Sequence, residues 1–528
     1  MAADTTPAAA PVPRWDALER VITRFAPSWA LQREAARSRL QLAAAYDAAT
    51  VNRRTLNWNA PATSANAETW GQAATIRNRA NDLVRNNPHA LTATRKLAAK
   101  IIGTGIVPRL SAADDEIERK QRATDDWKFF VDSADPEGQL DWYGLTKLAA
   151  RAWAQGGEVL LRYYYRPNNW KLKIPLQVQV LEADYLDLTK TALANDGSGN
   201  VVIQGVEYDP FGRRVAYWLY PEHPGEPLWG GRRSKLISER VPASQIRHMF
   251  EPLRPGQARG VSMFASVALR LKDMDDYDAS EAMRKKIAAC FSAIVTRAGG
   301  AAGAPMAGSN STQTTTDDKG RRLENIQPGR FQYLDLNESV NFPTPPEAGG
   351  YVDYMTYQLM AVAAGVGITY EALTGDLKGR NFSSIRAGNV DFFDQLDQWQ
   401  WLMVIPQICA PTWARVGAIS AAVGRRDPNA PYLANWATPR RRWIDPAVEV
   451  AATRDAVRAG LMSQTAAIAE QGEDPDDVLA EIARDNAKLD QLGIVLDTDP
   501  RKVSRGGGQT TAGDGLPGEP GPGQQQKG

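Results

Sequence analysis

Five carboxylates lie close together in RLKDMDDYDASEAMRKKIA, residues 270–288. Asp273, Asp275, Asp276, Asp278 and Glu281 are of the type that holds a hard cation, because Mg²⁺ needs several carboxylate oxygens converging at about 2 Å. Nothing in the stretch breaks a helix, and at about 100° per residue the five spread right round the axis, so they do not converge. They read instead as solvated faces and pairing partners, with Glu281 and Lys285 in the favourable i, i+4 order. Asp474, Asp476 and Asp477 in QGEDPDDVL start a helix, where carboxylates suit the positive end of the dipole. The three histidines, His89, His223 and His248, have no neighbour at metal-ligand spacing and read as surface or satisfied core residues. Cys290 and Cys409 are too few for a disulfide framework and read as buried thiols. GxxxxGK[ST], GxSxG and HExxH are all missing. The expectation is a non-enzyme with no catalytic residues, no metal and no cofactor; the alternative is a metal-dependent DNA-processing enzyme.

The basic residues point to contact with a polyanion more than to a grip on one. Lys378 and Arg380, with Asn381, lie in the Gly-bearing loop TGDLKGRN, and Arg440, Arg441 and Arg442 form the tightest basic cluster. Each neutralised phosphate adds salt-sensitive affinity, and these are few. The 62 Lys plus Arg against 61 Asp plus Glu leave a net charge of +1, so the protein as a whole is no sink for nucleic acid or anionic lipid.

The elements that must carry these residues follow from periodicity. With 528 residues the chain is long enough for two to four domains. Helices are expected at 14–50 with a break at Pro27, at 68–87 and 89–102 divided by NNPH, at 113–131 and at 141–157. From Glu158 the period changes to that of strands in EVLLRYYYRP, KIPLQVQVLEADYLDL and VVIQGVEYDPFGRRVAYWLYPE. A type I hairpin turn is expected at YDPFGR, and RHMFEP is expected as the closing strand. A helix from 261 to 297 follows, then a Gly, Ala, Ser and Thr tract near 300–318 that cannot order itself by burial. Helices return at 350–366 and at 382–405, the latter with Ser383 or Ser384 as cap. Beyond an irregular, proline-bearing passage, three short Gly-closed helices precede a tail disordered by composition. Residues 354–370 are uncharged but short for a membrane span and carry Gln358, so a buried or interface helix is expected, with no membrane. The N-terminal stretch shows no secretion signal. Fifteen tryptophans suggest subunit interfaces.

The long helix has an unusual pattern. Phe264, Val267, Leu271, Met274 and Ala282 share one apolar stripe, whereas Met283, Ile287, Cys290, Phe291 and Ile294 share a roughly opposite one. Such a helix must meet one neighbour at one end and another at the other.

In order, WDALERVITRFAPSWALQREAARSRLQLAAAYDAA, RNRANDLVRNNPHALTATRKLAAKIIGTGIVPRL, WAQGGEVLLRY, VLEADYLD, GVEYDPFGRRVAYWLY, GVSMFASVALRLKDMDDYDASE, NFSSIRAGNVDFF and WIDPAVEVAATRDAVRAGLMSQTAAIAEQGEDPDDVLAE resemble the lambda-type family of tailed-bacteriophage portal proteins over about residues 14–495. The resemblance implies an α+β, mainly helical portal fold. Its parts would be a flexible N-terminus (1–13), a wing of helices and mixed β (14–260), a first stem helix (261–297), a small clip (298–346) and a second stem element (347–373). A tunnel loop (374–381), a wing helix with its irregular passage (382–446), a helical C-terminal crown (447–495) and a disordered tail (496–528) would complete it. It also implies a dodecameric ring at a capsid vertex of the virion, assembled in the host cytoplasm, that conducts double-stranded DNA during packaging and ejection. The implied partners are further copies of the chain, the terminase large subunit, the major capsid protein and scaffold, and head-completion or adaptor proteins. Lys378, Arg380 and Asn381 would then face the DNA tunnel, and Phe264, Val267, Leu271, Met274, Met283 and Ile287 would pack stem helices of adjacent subunits together.

Overall fold

The structure, a computed structural model, describes residues 61–110, 117–193, 198–226, 237–290, 350–378, 382–427, 434–441, 445–473, 475–494 and 496, with the two-residue strands 294–295, 315–316, 322–323 and 332–333. The helix expected at 14–50, most of 298–346 and the tail from 504 lie outside these residues. The chain divides into two compact units, residues 1–64 and 65–528, and the elements named here belong to the second.

Three helices lead in: α1 (Ala65–Thr69), α2 (Ala73–Asn86) and α3 (Pro88–Ile102). The division falls at Asn87, whose extended backbone cannot continue the helix and whose side chain accepts from the N–H groups of His89 and Ala90, both at 2.9 Å, with Pro88 in the first turn. After β1 (Val107–Arg109) come α4 (Ile117–Ser133) and α5 (Trp142–Gly156). Asp141 caps the start of α5 by accepting from Gly144 N–H at 2.6 Å, and Gly157 ends it in the left-handed conformation at φ 89°.

The strands form as the alternation predicts. β2 (Glu158–Tyr165) and β3 (Leu176–Glu182) pair antiparallel; β4 (Ala192–Leu193), β5 (Val201–Ile203), β6 (Val206–Tyr208), β7 (Arg214–Leu219) and β8 (Glu239–Pro242) make a second antiparallel sheet in that order. β9 (Ile246–Phe250) returns to close the first sheet as β3–β2–β9. The β6–β7 turn is the expected one: Gly212 N–H donates to Asp209 O at 2.9 Å, and the Asp209 carboxylate accepts from Phe211 and Arg213 N–H. Because side chains alternate along β2, Val159, Leu161 and Tyr163 enter one core while Leu160 enters another, packed with Leu181, Val206, Tyr217 and Ile246.

The long helix is shorter than the sequence suggests: α6 spans Ala268–Cys290. Residues before it turn instead, because Ser262 Oγ donates to Gln155 O at 2.7 Å and accepts from Phe264 N–H at 3.2 Å, tying the chain to the end of α5. Ile294–Val295, expected as helix, is β10 and pairs in parallel with β13 (Gln332–Tyr333), while β11 (Thr315–Thr316) pairs with β12 (Arg322–Leu323). Next come α7 (Tyr351–Val366), closed by Gly367 at φ 79°, and α8 (Tyr370–Thr374).

A second correction concerns the helix expected to stop at 405. α9 (Phe382–Asp397) runs into a π-helical segment, Gln398–Cys409, that contains Pro406, and on into α10 (Ala410–Ala422) with Pro411 in its first turn. The wider π turn accommodates a residue without an N–H, and burial of Trp399, Met403, Val404, Ile408, Trp413 and Val416 in the first core outweighs local propensity. Ser383 and Ser384 lie inside α9 rather than ahead of it. This stretch, Ala387–Ala422, is apolar and long enough to cross a membrane, and half of its most apolar window is buried in the core. β14 (Asn435–Ala437) pairs with β1, and α11 (Pro446–Arg458), α12 (Gln464–Glu470) and α13 (Pro475–Leu492) follow as expected, capped in α11 and α12 by Asp445 and Ser463.

Candidate functional site

The antiparallel hairpin of α6 and α7 is clamped at its root. At the root, Gly157 and Gly260 cross so closely that a Cβ on Gly260 would lie 2.1 Å from Gly157 O, and one on Gly157 would lie 2.2 Å from Val261 C. Glu158 sits directly beneath, 1% exposed. It accepts from Arg259 Nε at 2.8 Å and Nη2 at 2.5 Å, from Gly260 N–H at 2.8 Å and from His248 Nε2–H at 2.9 Å. Burial alone raises a carboxyl pKa, but Arg259 and His248 hold that of Glu158 well below the ordinary carboxylate range. His248 is pushed down by burial against the pull of Glu158. A neutral ring donates from Nε2 and lets Nδ1 accept from Arg214 Nη1 at 3.2 Å. Arg259 also donates to Gln204 O and Ala183 O, and the neighbouring Arg77 forms a bidentate pair with Asp184 at 2.8 and 3.0 Å.

Along the hairpin, Phe264, Val267, Leu271 and Met274 are buried in the chain's own first core together with Leu359, Val362, Ala363 and Val366. Gly365 permits the approach, since a Cβ there would lie 2.4 Å from Val267 Cγ1. Within one chain, the fold itself already covers these four. Met283 is 55% exposed; the Ile287 side chain lies outside the described residues. Toward the tip, aromatic and polar contacts replace aliphatic packing. Tyr277 stacks on Tyr351 with centroids 5.8 Å apart and meets Tyr354 edge-on at 5.0 Å. Tyr351 donates to Asp278, which raises the phenol pKa to about 12. Leu269, Val352, Tyr357 and Met360 are exposed.

The acidic residues of α6 do not converge. Asp275 accepts from Asn87 at 2.8 Å, Asp276 from Lys272 at 2.8 Å, Asp278 from Tyr351, and Glu281 from Arg284 at 2.6 Å, each bound separately. The group brought together among the described residues is instead Glu182, Asp184 and His223. Its capacity for an ion is limited, because Asp184 serves Arg77 and His223 Nδ1 accepts from Gly225 N–H at 3.0 Å. Cys409 is buried, which pushes its thiol up to about 12 and leaves it unreactive; the Cys290 side chain is not among those described.

In the loop after α8, Asp376 accepts from Lys378 N–H at 3.0 Å, fixing a turn that leaves the Lys378 side chain exposed; Arg380 and Asn381 fall outside the described residues. Arg441 is committed to Asp397 and lies over Phe393. Sequence reasoning passed over Glu158, Arg259, Arg77 and Asp184, partners distant in the chain. The one local signal is a carboxylate opening the apolar run EVLL behind two glycines.

Comparison with known proteins adds a family. A family model described as phage portal protein, lambda family, matches residues 51–400. The probable portal protein of Halomonas phage phiHAP-1 is 25% identical over 506 residues, spanning 90% of this chain and 93% of that one. Portal protein B of Escherichia phage lambda is 22% identical over 484 residues, spanning 83% and 88%. Among solved structures, a chain from the neck of an empty GTA particle is 14% identical with a TM-score of 0.41, covering 77% of this chain and 95% of that one.

Proposed function

The chain belongs to the lambda family of phage portal proteins, and from that premise we propose that its copies close into a dodecameric ring at a capsid vertex, a conduit for double-stranded DNA in packaging and ejection. The observation that carries this reading is the two-sided hairpin. α6 and α7 bury one side in their own core, yet leave Leu269, Met283, Val352, Tyr357 and Met360 on the surface. Apolar area of that kind is stable in water once a neighbour covers it, and a heterologous contact that closes on itself makes a ring. α6 serves as the first stem helix, 298–346 as the clip, α7 as the second stem element, 374–381 as the tunnel loop and α11–α13 as the crown. The near-neutral charge lets a polyanion slide, with Lys378 touching the backbone in passing. The ring docks the terminase large subunit and head-completion proteins and sits against capsid protein and scaffold, in the host cytoplasm during assembly and in the virion afterwards.

Native mass measurement of the purified full chain tests the ring: a closed oligomer of twelve is expected. A species that stays monomeric under every assembly condition overturns it. The enzymatic alternative is tested by incubation with DNA and Mg²⁺ or Mn²⁺; the expected result is intact DNA, and cleavage abolished by Asp275→Ala would reject the non-catalytic reading.

A further inference from the structure

The far end of β2 carries a ladder in which charge and ring alternate. The guanidinium of Arg162 lies 5.1 Å from the Tyr164 ring, that of Arg166 lies 4.8 Å from the same ring, and Arg166 is also 4.5 Å from the Trp170 ring. Residues i and i+2 on a strand share a face, so β2 sets Arg162 and Tyr164, Arg166 follows directly after its end, and the short turn after Pro167 brings Trp170 back as the fourth rung. Gln179 accepts from Tyr164 OH at 2.8 Å and Gln177 from Arg166 Nε at 2.8 Å, so neighbouring β3 holds the ladder in place. On the opposite face of the same strand end, Arg415 of α10 lies 4.1 Å from the Tyr163 ring and donates to Tyr165 OH at 2.8 Å. Arg247 of β9 stands opposite Leu161, one position from this cluster.

Two properties set this end of the sheet apart. First, Arg162, Arg166, Lys171, Lys173, Arg247 and Arg415 enter no ion pair among the described residues, whereas Arg77, Arg240, Arg259, Arg425, Arg426 and Arg441 each have a carboxylate. The Nε groups of Arg162, Arg247 and Arg415 have no protein acceptor among the described residues. Second, Tyr165 and Trp170 are 57% and 49% exposed, a large apolar area beside the cations.

We infer that this end of the three-stranded sheet is a docking surface for an acidic segment of another protein, one whose carboxylates are flanked by apolar side chains. The charge excess calls for an anionic partner, and two observations favour protein over nucleic acid. The chain's own guanidinium groups already lie against the Tyr164 ring and against Trp170, which limits stacking by bases. A duplex backbone would meet the cations but leave Trp170 and Tyr165 without apolar cover, whereas Trp, Tyr and Arg together are the composition of protein interaction centres. The surface lies away from the α6–α7 hairpin in sequence and fold, and the inference does not rest on ring formation.

The test uses the full chain and a short fluorescein-labelled peptide of alternating glutamate and leucine, read by anisotropy, beside a matched glutamate–serine peptide, a short DNA duplex and a single strand. The glutamate–leucine peptide should bind, about tenfold more tightly than the glutamate–serine one. Lys171→Glu and Trp170→Ser, both at exposed positions, should each weaken it by about tenfold with the circular dichroism spectrum unchanged. Stronger binding of either DNA, lost in the same variants, would transfer the site to nucleic acid and overturn the inference; so would equal binding of the two peptides, or no binding of the first. Oligomer mass, recorded on the same samples, keeps failure here distinct from failure of the ring.

Discussion

Glu158 is the residue whose charge the fold can least do without. Removing one partner of a buried, hydrogen-bonded pair leaves the other charge uncompensated, so Glu158→Gln should cost about 3–5 kcal/mol, seen as a lowered denaturation midpoint of the full chain. The titrations around it fix the sign of the pH dependence. Both Glu158 and His248 have folded pKa values below their unfolded ones. Stability from each is therefore complete above the unfolded value, about 4.3 for Glu and about 6.5 for His, and is lost as pH falls toward the folded value. Between neutrality and pH about 5, the loss belongs to buried neutral histidine, so His248→Gln should flatten the fall in thermal midpoint across that window. An unchanged slope would assign the acid sensitivity elsewhere. His89, also pushed down by burial, is a second such histidine among the described residues.

Among the elements, the hairpin depends on backbone proximity at its root and on exposed side chains further along. Gly260→Ala would place a methyl 2.1 Å from a carbonyl oxygen, and it should destabilise the chain more than any substitution on the exposed hairpin surface; thermal melts compare the two. Tyr357→Glu with Met360→Glu, on exposed positions of α7, should leave circular dichroism unchanged and yield monomers by native mass, whereas an intact oligomer would move the subunit contact off this helix. Here the limits of sequence reading are physical. The NNPH division, the helix start at 141 and the YDPFGR turn are legible because the chemistry that makes them acts within a few residues. The α9–α10 continuation through Pro406 was hidden because a local rule about proline lost to burial of six side chains by distant elements. Likewise, the stripe on α6 was legible as apolar, but not which chain would cover it; Phe264, Val267, Leu271 and Met274 found their neighbours at home. Glu158 and Arg259 are 101 positions apart, and no periodicity links them.

For the whole molecule, the described carboxylates of α6 are held one by one by separate partners rather than gathered at one point. Deleting 300–318 should leave ring mass unchanged while reducing terminase binding in a pull-down, and loss of rings would remove that segment from the clip. Helices α11–α13 bury none of their described residues within the chain, so their apolar positions lie open at its surface. The clamped root and loosely furnished tip of that hairpin also have a mechanical meaning. A rod gripped at one end and propped by a few rings at the other is a cantilever. Load at the ring-bearing end would bend the two helices first, because the glycine crossing fixes the root.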